Sequence, residues 1–150
     1  MRYFLDTEFN GWGGALLSLA LVPDDGEEFY VALACPDPIA PWVERHVVPY
    51  LDHVPEALKG PHVGRRDAAE LLSAYLAFDP EPEIVADWPE DFAQFCNLLL
   101  IANGDMVHMP PLVMRLMRLP GFSPARASAV PHNALHDARA LREHVTTHLE

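Results

Sequence analysis

Asp6 and Glu8 stand two residues apart in the opening stretch Met1–Asn10, MRYFLDTEFN. Tyr3, Phe4 and Leu5 before them form a short apolar run that reads as a buried central strand. Residues i and i+2 of a strand share a face, so both carboxylates project together from what should be core. Unpaired there, they repel each other and lose hydration, at a cost of several kcal/mol each. A hard divalent cation bound by oxygen ligands removes that penalty. The alternative for a lone D-x-E is a strand end whose two side chains simply face water.

Two further segments carry groups of the same chemistry. The run Asp87-Trp88-Pro89-Glu90-Asp91 offers two carboxylates where a strand passes into a helix. Asp91 alone also has a plain structural explanation, because negative charge in the first helical turn is worth ~0.3–1 kcal/mol against the macrodipole. In PHNALHDARALREH, His132 precedes Asp137 by five residues around a helix start. His136, the immediate neighbour of Asp137, points roughly 100° away around the helix. His132 is therefore the histidine expected to share a site with Asp137. For Asp137 the plain alternative is a solvated helix face with Arg139 and Arg142, and His144 and His148 read as exposed in the same way.

The elements that must position these groups follow from pattern. Ala15–Val22 is an apolar run of strand length, Pro23-Asp24-Asp25-Gly26 a turn, and Glu27–Ala34 a third strand. This predicts three sequential antiparallel strands. Pro41–Val48 suits a short helix with proline in its first turn. Arg65–Phe78 has apolar residues at helical spacing, with Ala69, Leu72 and Leu76 on one side. Glu83–Trp88 is a short strand, and Glu90–Ile101 a helix that Asn103-Gly104 closes. Prolines 110, 111, 120, 124 and 131 make the next region mostly loop, with one short element at Leu112–Leu119. Asn133–Leu149 is the last helix. The order predicts an α/β layer structure with a mixed sheet, its first strand central.

Composition narrows the classes. At 150 residues, 16.7 kDa and 50% hydrophobic content the chain is expected to form one domain, 1–150, with a real core. No apolar run approaches the ~20 residues of a membrane helix, and no signal peptide opens the sequence. Cys35 and Cys96 lie far apart and form no C-x-x-C pair, so they are expected as buried free thiols in a reducing, cytoplasmic setting. The net charge of −12 is uneven: residues 1–100 carry −13 and residues 101–150 carry +1. That argues against tight, sequence-indifferent nucleic-acid binding, but not against a small site gripping one strand end through metal.

The motifs FLDTEF, a mid-chain Asp opening a helix, and H-x-x-x-x-D resemble the DEDD superfamily of 3′–5′ exonucleases in its histidine-bearing DEDDh branch. That branch includes RNase T, oligoribonuclease and bacterial proofreading subunits. The opening MRYFLDTEF and the ending HNALHDAR are most similar to a small group of mycobacterial and phage-type 3′–5′ exoribonucleases. The resemblance implies an RNase H-like fold, a mixed five-stranded sheet flanked by helices. It carries Asp6 and Glu8 onto the first motif, Asp91 onto the second, and His132 with Asp137 onto the third. Relatives often place an Asn or His and an aromatic residue before the second motif, so Asp87 remains the alternative to Asp91.

The activity implied is hydrolysis of phosphodiester bonds at single-stranded RNA or DNA 3′ ends, releasing nucleoside monophosphates with two Mg²⁺ or Mn²⁺ ions. Asp6 would bridge the ions, Glu8 and Asp137 would hold the one carrying the attacking water, and Asp91 would complete the other. His132 would act as general base. RNA preference rests on the resemblance, with DNA the first rival. A non-catalytic nucleic-acid-binding domain of the same fold is the second. Several relatives are homodimers, so a homodimer is a further expectation. Phe9, Trp12 and Leu16 follow the two carboxylates and are candidates to stack or wedge terminal bases, with core packing the alternative for Leu16, and Thr7 between the carboxylates is a further candidate for substrate contact. Arg115, Arg118 and Arg126 are candidates for holding phosphates, and equally for ordinary solvated positions.

Overall fold

A computed structural model describes residues 1–150. Its elements are β1 (Arg2–Phe9), β2 (Leu16–Pro23), β3 (Phe29–Ala32), α1 (Pro41–His46), α2 (Arg65–Leu76) and β4 (Glu83–Ala86). There follow α3 (Pro89–Leu99), β5 (Leu100–Ala102), β6 (Asp105–Met106), β7 (Val113–Leu116), α4 (Pro124–Ala127) and α5 (Ala134–His148). The main sheet has the order β3-β2-β1-β4-β7. β1 pairs antiparallel with β2 and β2 with β3, while β4 runs parallel to both β1 and β7. This is the mixed five-stranded α/β sheet expected, and β1 is its centre.

Alternation along β1 divides the core. Tyr3 and Leu5 point to a layer with Leu19 and Leu21 of β2, Leu72 and Leu76 of α2, and Phe95 and Leu98 of α3. Phe4 points the other way, packing with Val85, Leu141 and Val145. Beside it, Ala20 and Val22 meet Leu135 and Ala138 of α5. All eight residues of β2 are buried, as a strand covered on both faces requires. By the same alternation Asp6 and Glu8 share the face of Phe4, and α5 covers that face. No helix is long and apolar enough to cross a membrane.

The chain leaves β1 through a tight loop. Gly11 and Gly13 adopt φ of +75° and +68°, the left-handed region that glycine enters without steric cost. The Asn10 N–H donates to the Ala15 carbonyl at 2.9 Å, and the Asn10 side chain binds Ala40 N–H and the Pro38 carbonyl. Asn10 thus ties the end of β1 to the entry of α1. A Cβ on Gly14 would lie 1.9 Å from the Asn10 carbonyl oxygen, whereas one on Gly60 meets nothing within 4 Å. We expect Gly14→Ala to lower stability by roughly 1–3 kcal/mol in thermal denaturation, with Gly60→Ala close to neutral.

Two expectations are corrected. Asn103-Gly104 does not cap α3, which ends at Leu99; it turns the two-stranded hairpin β5–β6. Asn-Gly is the strongest two-residue hairpin signal, and Gly104 takes φ +75° there. The cysteines are free but not buried: Cys35 is half-buried and Cys96 exposed. Cys96 sits on the solvent side of α3, where its Sγ lies 3.9 Å from Met114 Sδ on the edge strand β7. The predicted Leu112–Leu119 element is that edge strand.

Candidate active site

The site lies where β1 ends between β4 and α5. Asp6, Glu8, Asp87, Asp91, His132 and Asp137 line one cleft, with Thr7, Phe9, Trp12, Trp42 and Trp88. The residues of the three motifs, with Thr7, Phe9 and Trp12, therefore border the same space, whereas Arg115, Arg118 and Arg126 are not in its lining. Its volume is about 480 Å³.

Each group is placed by its element. The pleat of β1 puts Asp6 and Glu8 on the α5 side. Beyond Glu8 the pairing with β2 slips, so that Phe9 faces Leu16 while Glu8 faces Ser18; such a bulge re-aims side chains at a strand end. Asp91 sits in the first turn of α3, with Pro89 at the first helical position. It is 4% exposed, and its Oδ1 accepts from the Thr7 hydroxyl at 2.6 Å and the Thr7 N–H at 3.1 Å. Thr7 is thus at the cleft, but its hydroxyl is committed to Asp91.

On the other side, Asn133 caps α5, its Oδ1 accepting from Leu135 N–H and His136 N–H, while its Nδ2 donates to the Tyr50 carbonyl at 2.8 Å. That anchor sets the axis of α5 and hence the position of Asp137. Asp137 Oδ2 accepts from the His132 N–H at 3.2 Å. His132 takes φ +63°, the one non-glycine residue with positive φ. Histidine is among the types that tolerate this region. The result turns its ring toward Glu8 and Asp137. One ligand atom each from Glu8, His132 and Asp137 fall within 4.8 Å of one another. Asp6 and Asp91 line the same cleft outside that closest group. His136 is elsewhere, with Nε2 2.9 Å from the His53 carbonyl.

Electrostatics here are severe. Burial, then the charges of Asp91, Glu8, Asp137 and Asp87, hold the Asp6 carboxyl well above the usual carboxylate range. Burial first and neighbouring carboxylates second push Glu8 up to about 8. Burial likewise takes Asp91 to about 7 against its bonds from Thr7, and Asp137 to about 6. Asp87 is raised by burial too, against the charge of Arg118. His132 is lowered, by burial and then by His46, which favours the neutral ring. Asp6 Oδ2 and Asp137 Oδ1 are sealed from water with no hydrogen-bond partner. Buried carboxylate oxygens without donors, in an all-acidic setting with one imidazole, fit hard divalent cations and little else.

A consequence can be measured in the metal-free protein. Carboxyls raised in the folded state bind more protons there than in the unfolded chain, so stability falls as pH rises. The window runs from the unfolded carboxylate value near 4 up to the folded values of about 6, 7 and 8 for Asp137, Asp91 and Glu8. We expect the melting temperature in EDTA to drop by on the order of 10 °C between pH 5.5 and 8.5. Adding Mn²⁺ at the upper pH should restore it, since a ligand of the folded state stabilises by mass action. A flat pH dependence in EDTA would contradict the burial of charge described here.

Sequence reasoning passed over several residues of this site. Asp87 was the set-aside alternative to Asp91, yet both border the cleft. Trp42 and Trp88 join Trp12, so all three tryptophans of the chain ring it. Asn133 was legible as an N-cap residue before a helical pattern. Gln94, whose Nε2 donates to the Gly14 carbonyl at 2.9 Å and so braces the loop after β1, has no sequence signal.

A mixed α/β sheet with these carboxylates at the tip of its central strand is an RNase H-like domain. No protein-family model matches the chain. Two 3′-5′ exoribonucleases of Mycobacterium tuberculosis, one from strain CDC 1551 and one from strain H37Rv, are each 33% identical to it over 125 residues. The match covers 79% of this chain and 70% of each relative. The chain belongs to their family of exoribonucleases.

Proposed function

We propose that this chain is a DEDDh-type, metal-dependent 3′–5′ exoribonuclease that hydrolyses single-stranded 3′ ends and releases 5′-mononucleotides. The observation that carries it is the gathering of Glu8, His132 and Asp137 donor atoms within 4.8 Å, in a cleft where Asp6 and Asp137 each hold a buried, unpartnered oxygen. The relatives' activity, as their names state it, agrees.

Asp6, Glu8, Asp91 and Asp137 would hold two Mg²⁺ or Mn²⁺ ions. When bound, such ions neutralise charge on the phosphoryl group and make water acidic enough to lose a proton near neutrality. The remaining work belongs to the chain. Thr7 fixes the Asp91 carboxylate by two hydrogen bonds. Asp137 fixes the backbone of His132. The neutral His132 ring, favoured by its burial, accepts a proton from the attacking water on a ring nitrogen. Trp12, 93% exposed at the cleft mouth, offers a face for a terminal base, an interaction worth ~1–3 kcal/mol. Phe9, half-buried, forms part of the cleft wall.

Matched RNA and DNA oligonucleotides incubated with Mn²⁺ test the reading. RNA shortened from its 3′ end with mononucleotide products is expected; faster loss of DNA would overturn the RNA assignment, and unchanged length of both would overturn the enzyme. The second-motif carboxylate is separable in the same assay. Asp91→Asn should lose at least about tenfold more activity than Asp87→Asn, because Asp91 is oriented by Thr7 whereas Asp87 has no side-chain donor. The reverse order would reassign the motif to Asp87.

A further inference from the structure

The chain has ten basic side chains against 22 acidic ones, and most are committed away from the cleft. Arg115 pairs with Glu83 at the start of β4. Arg139 pairs with Glu28, and Arg2 with Asp24 and Glu150. Arg118, just after β7, forms no ion pair. Its guanidinium carbon instead lies 5.5 Å from the centroid of the Trp88 ring. Trp88 borders the cleft, and its Nε1 donates to Glu90 Oε1 at 3.3 Å, which fixes the indole. The charge of Arg118 reaches Asp87 on the cleft wall.

We propose that Arg118, held on the Trp88 ring, grips a non-scissile phosphate of the entering strand and sets a preference for oligonucleotides over substrates with a single phosphodiester. This rests on the nuclease reading above. An arginine resting on an aromatic face keeps its planar N–H donors available for phosphate and loses little freedom on binding. With one face of Trp88 covered, that indole is a rest for the cation, and Trp12 is left as the most exposed of the three rings. The need for a cation is clear. Six ionised cleft carboxylates, Glu90 included, against two divalent ions still leave two negative charges, so the flanking phosphates meet repulsion unless a positive group faces them. Arg126 on α4 is the other cation beside the cleft, next to Pro124 and Ala125 in its wall. It rests on no ring and no carboxylate, so its ordering on binding costs more.

The experiment compares a ten-nucleotide RNA with the p-nitrophenyl ester of thymidine 5′-monophosphate, which has one phosphodiester and no flanking phosphate. Arg118→Gln should lower kcat/KM on the RNA by roughly tenfold through KM and leave the small ester unchanged. The slope of log kcat/KM against log salt should become shallower by about 0.7, the value for one phosphate contact on a single strand. Arg118→Lys should keep the wild-type slope with partial recovery, and Arg115→Gln should change nothing. Equal losses on both substrates, or an unchanged salt slope, would overturn the proposal, as would a larger slope change in Arg126→Gln. If the wild type cleaves neither substrate the nuclease reading fails by itself. Arg118 is then judged by binding of the 5′-labelled strand to Asp6→Asn protein with and without Arg118→Gln, where an unchanged salt slope again counts against it.

Discussion

Asp6→Asn should abolish strand degradation while making the metal-free protein more stable. Asp6 Oδ2 is buried without a hydrogen-bond partner, and burial with four surrounding carboxylates opposes its ionisation. Asparagine is nearly isosteric and uncharged, so the repulsion is relieved and the fold gains. The same change removes one of the four carboxylates proposed to hold the cations. Charge stabilisation by bound metal is worth several kcal/mol in the transition state, so roughly a 10³-fold loss is expected. Melting in EDTA and product release in Mn²⁺ read the two effects independently. A variant that is both unstable and inactive would point to a structural role for Asp6, and an active one would remove it from the site.

The second large effect is expected at His132. His132→Ala should slow turnover by ~10²–10⁴-fold, the range for losing a positioned general base. Folding is the confounder, because φ of +63° strains alanine as it does histidine. His132→Gly separates the two. Glycine relieves the left-handed strain, worth roughly 1–2 kcal/mol, so that variant should melt no lower than the wild type while losing as much activity as the alanine form. Recovery of activity in the glycine variant would show that backbone geometry, and not the imidazole, limits the alanine protein.

Much of this site was legible from the sequence because local rules dictate it. The pleat of a strand puts Asp6 and Glu8 on one face whatever the fold, and an apolar run before them marks the strand as central. A helix start with His132 and Asp137 around it needs only the 3.6-residue period. What could not be read depends on how loops close. Trp42 reaches the cleft because Asn10 binds the backbone at Pro38 and Ala40, a contact without periodic signature. Asp87 and Asp91 differ in that Thr7 bonds only the latter, and nothing in the run DWPED reports it. Asn103-Gly104 was misread because the same pair can end a helix or turn a hairpin, and the pairing of Leu100 with Met106 decides which. The spacing of the cysteines predicts free thiols but carries no signal for burial, and Cys96 lies on the outward side of α3.

The donor atoms of Glu8 come from the first strand and those of His132 and Asp137 from the entry to the last helix. Neither segment holds half of a working centre, since the early part has carboxylates without the base and the late part has the base without the bridging pair. A growing chain can therefore assemble the proposed centre only after the α5 segment has been made and has docked on β1.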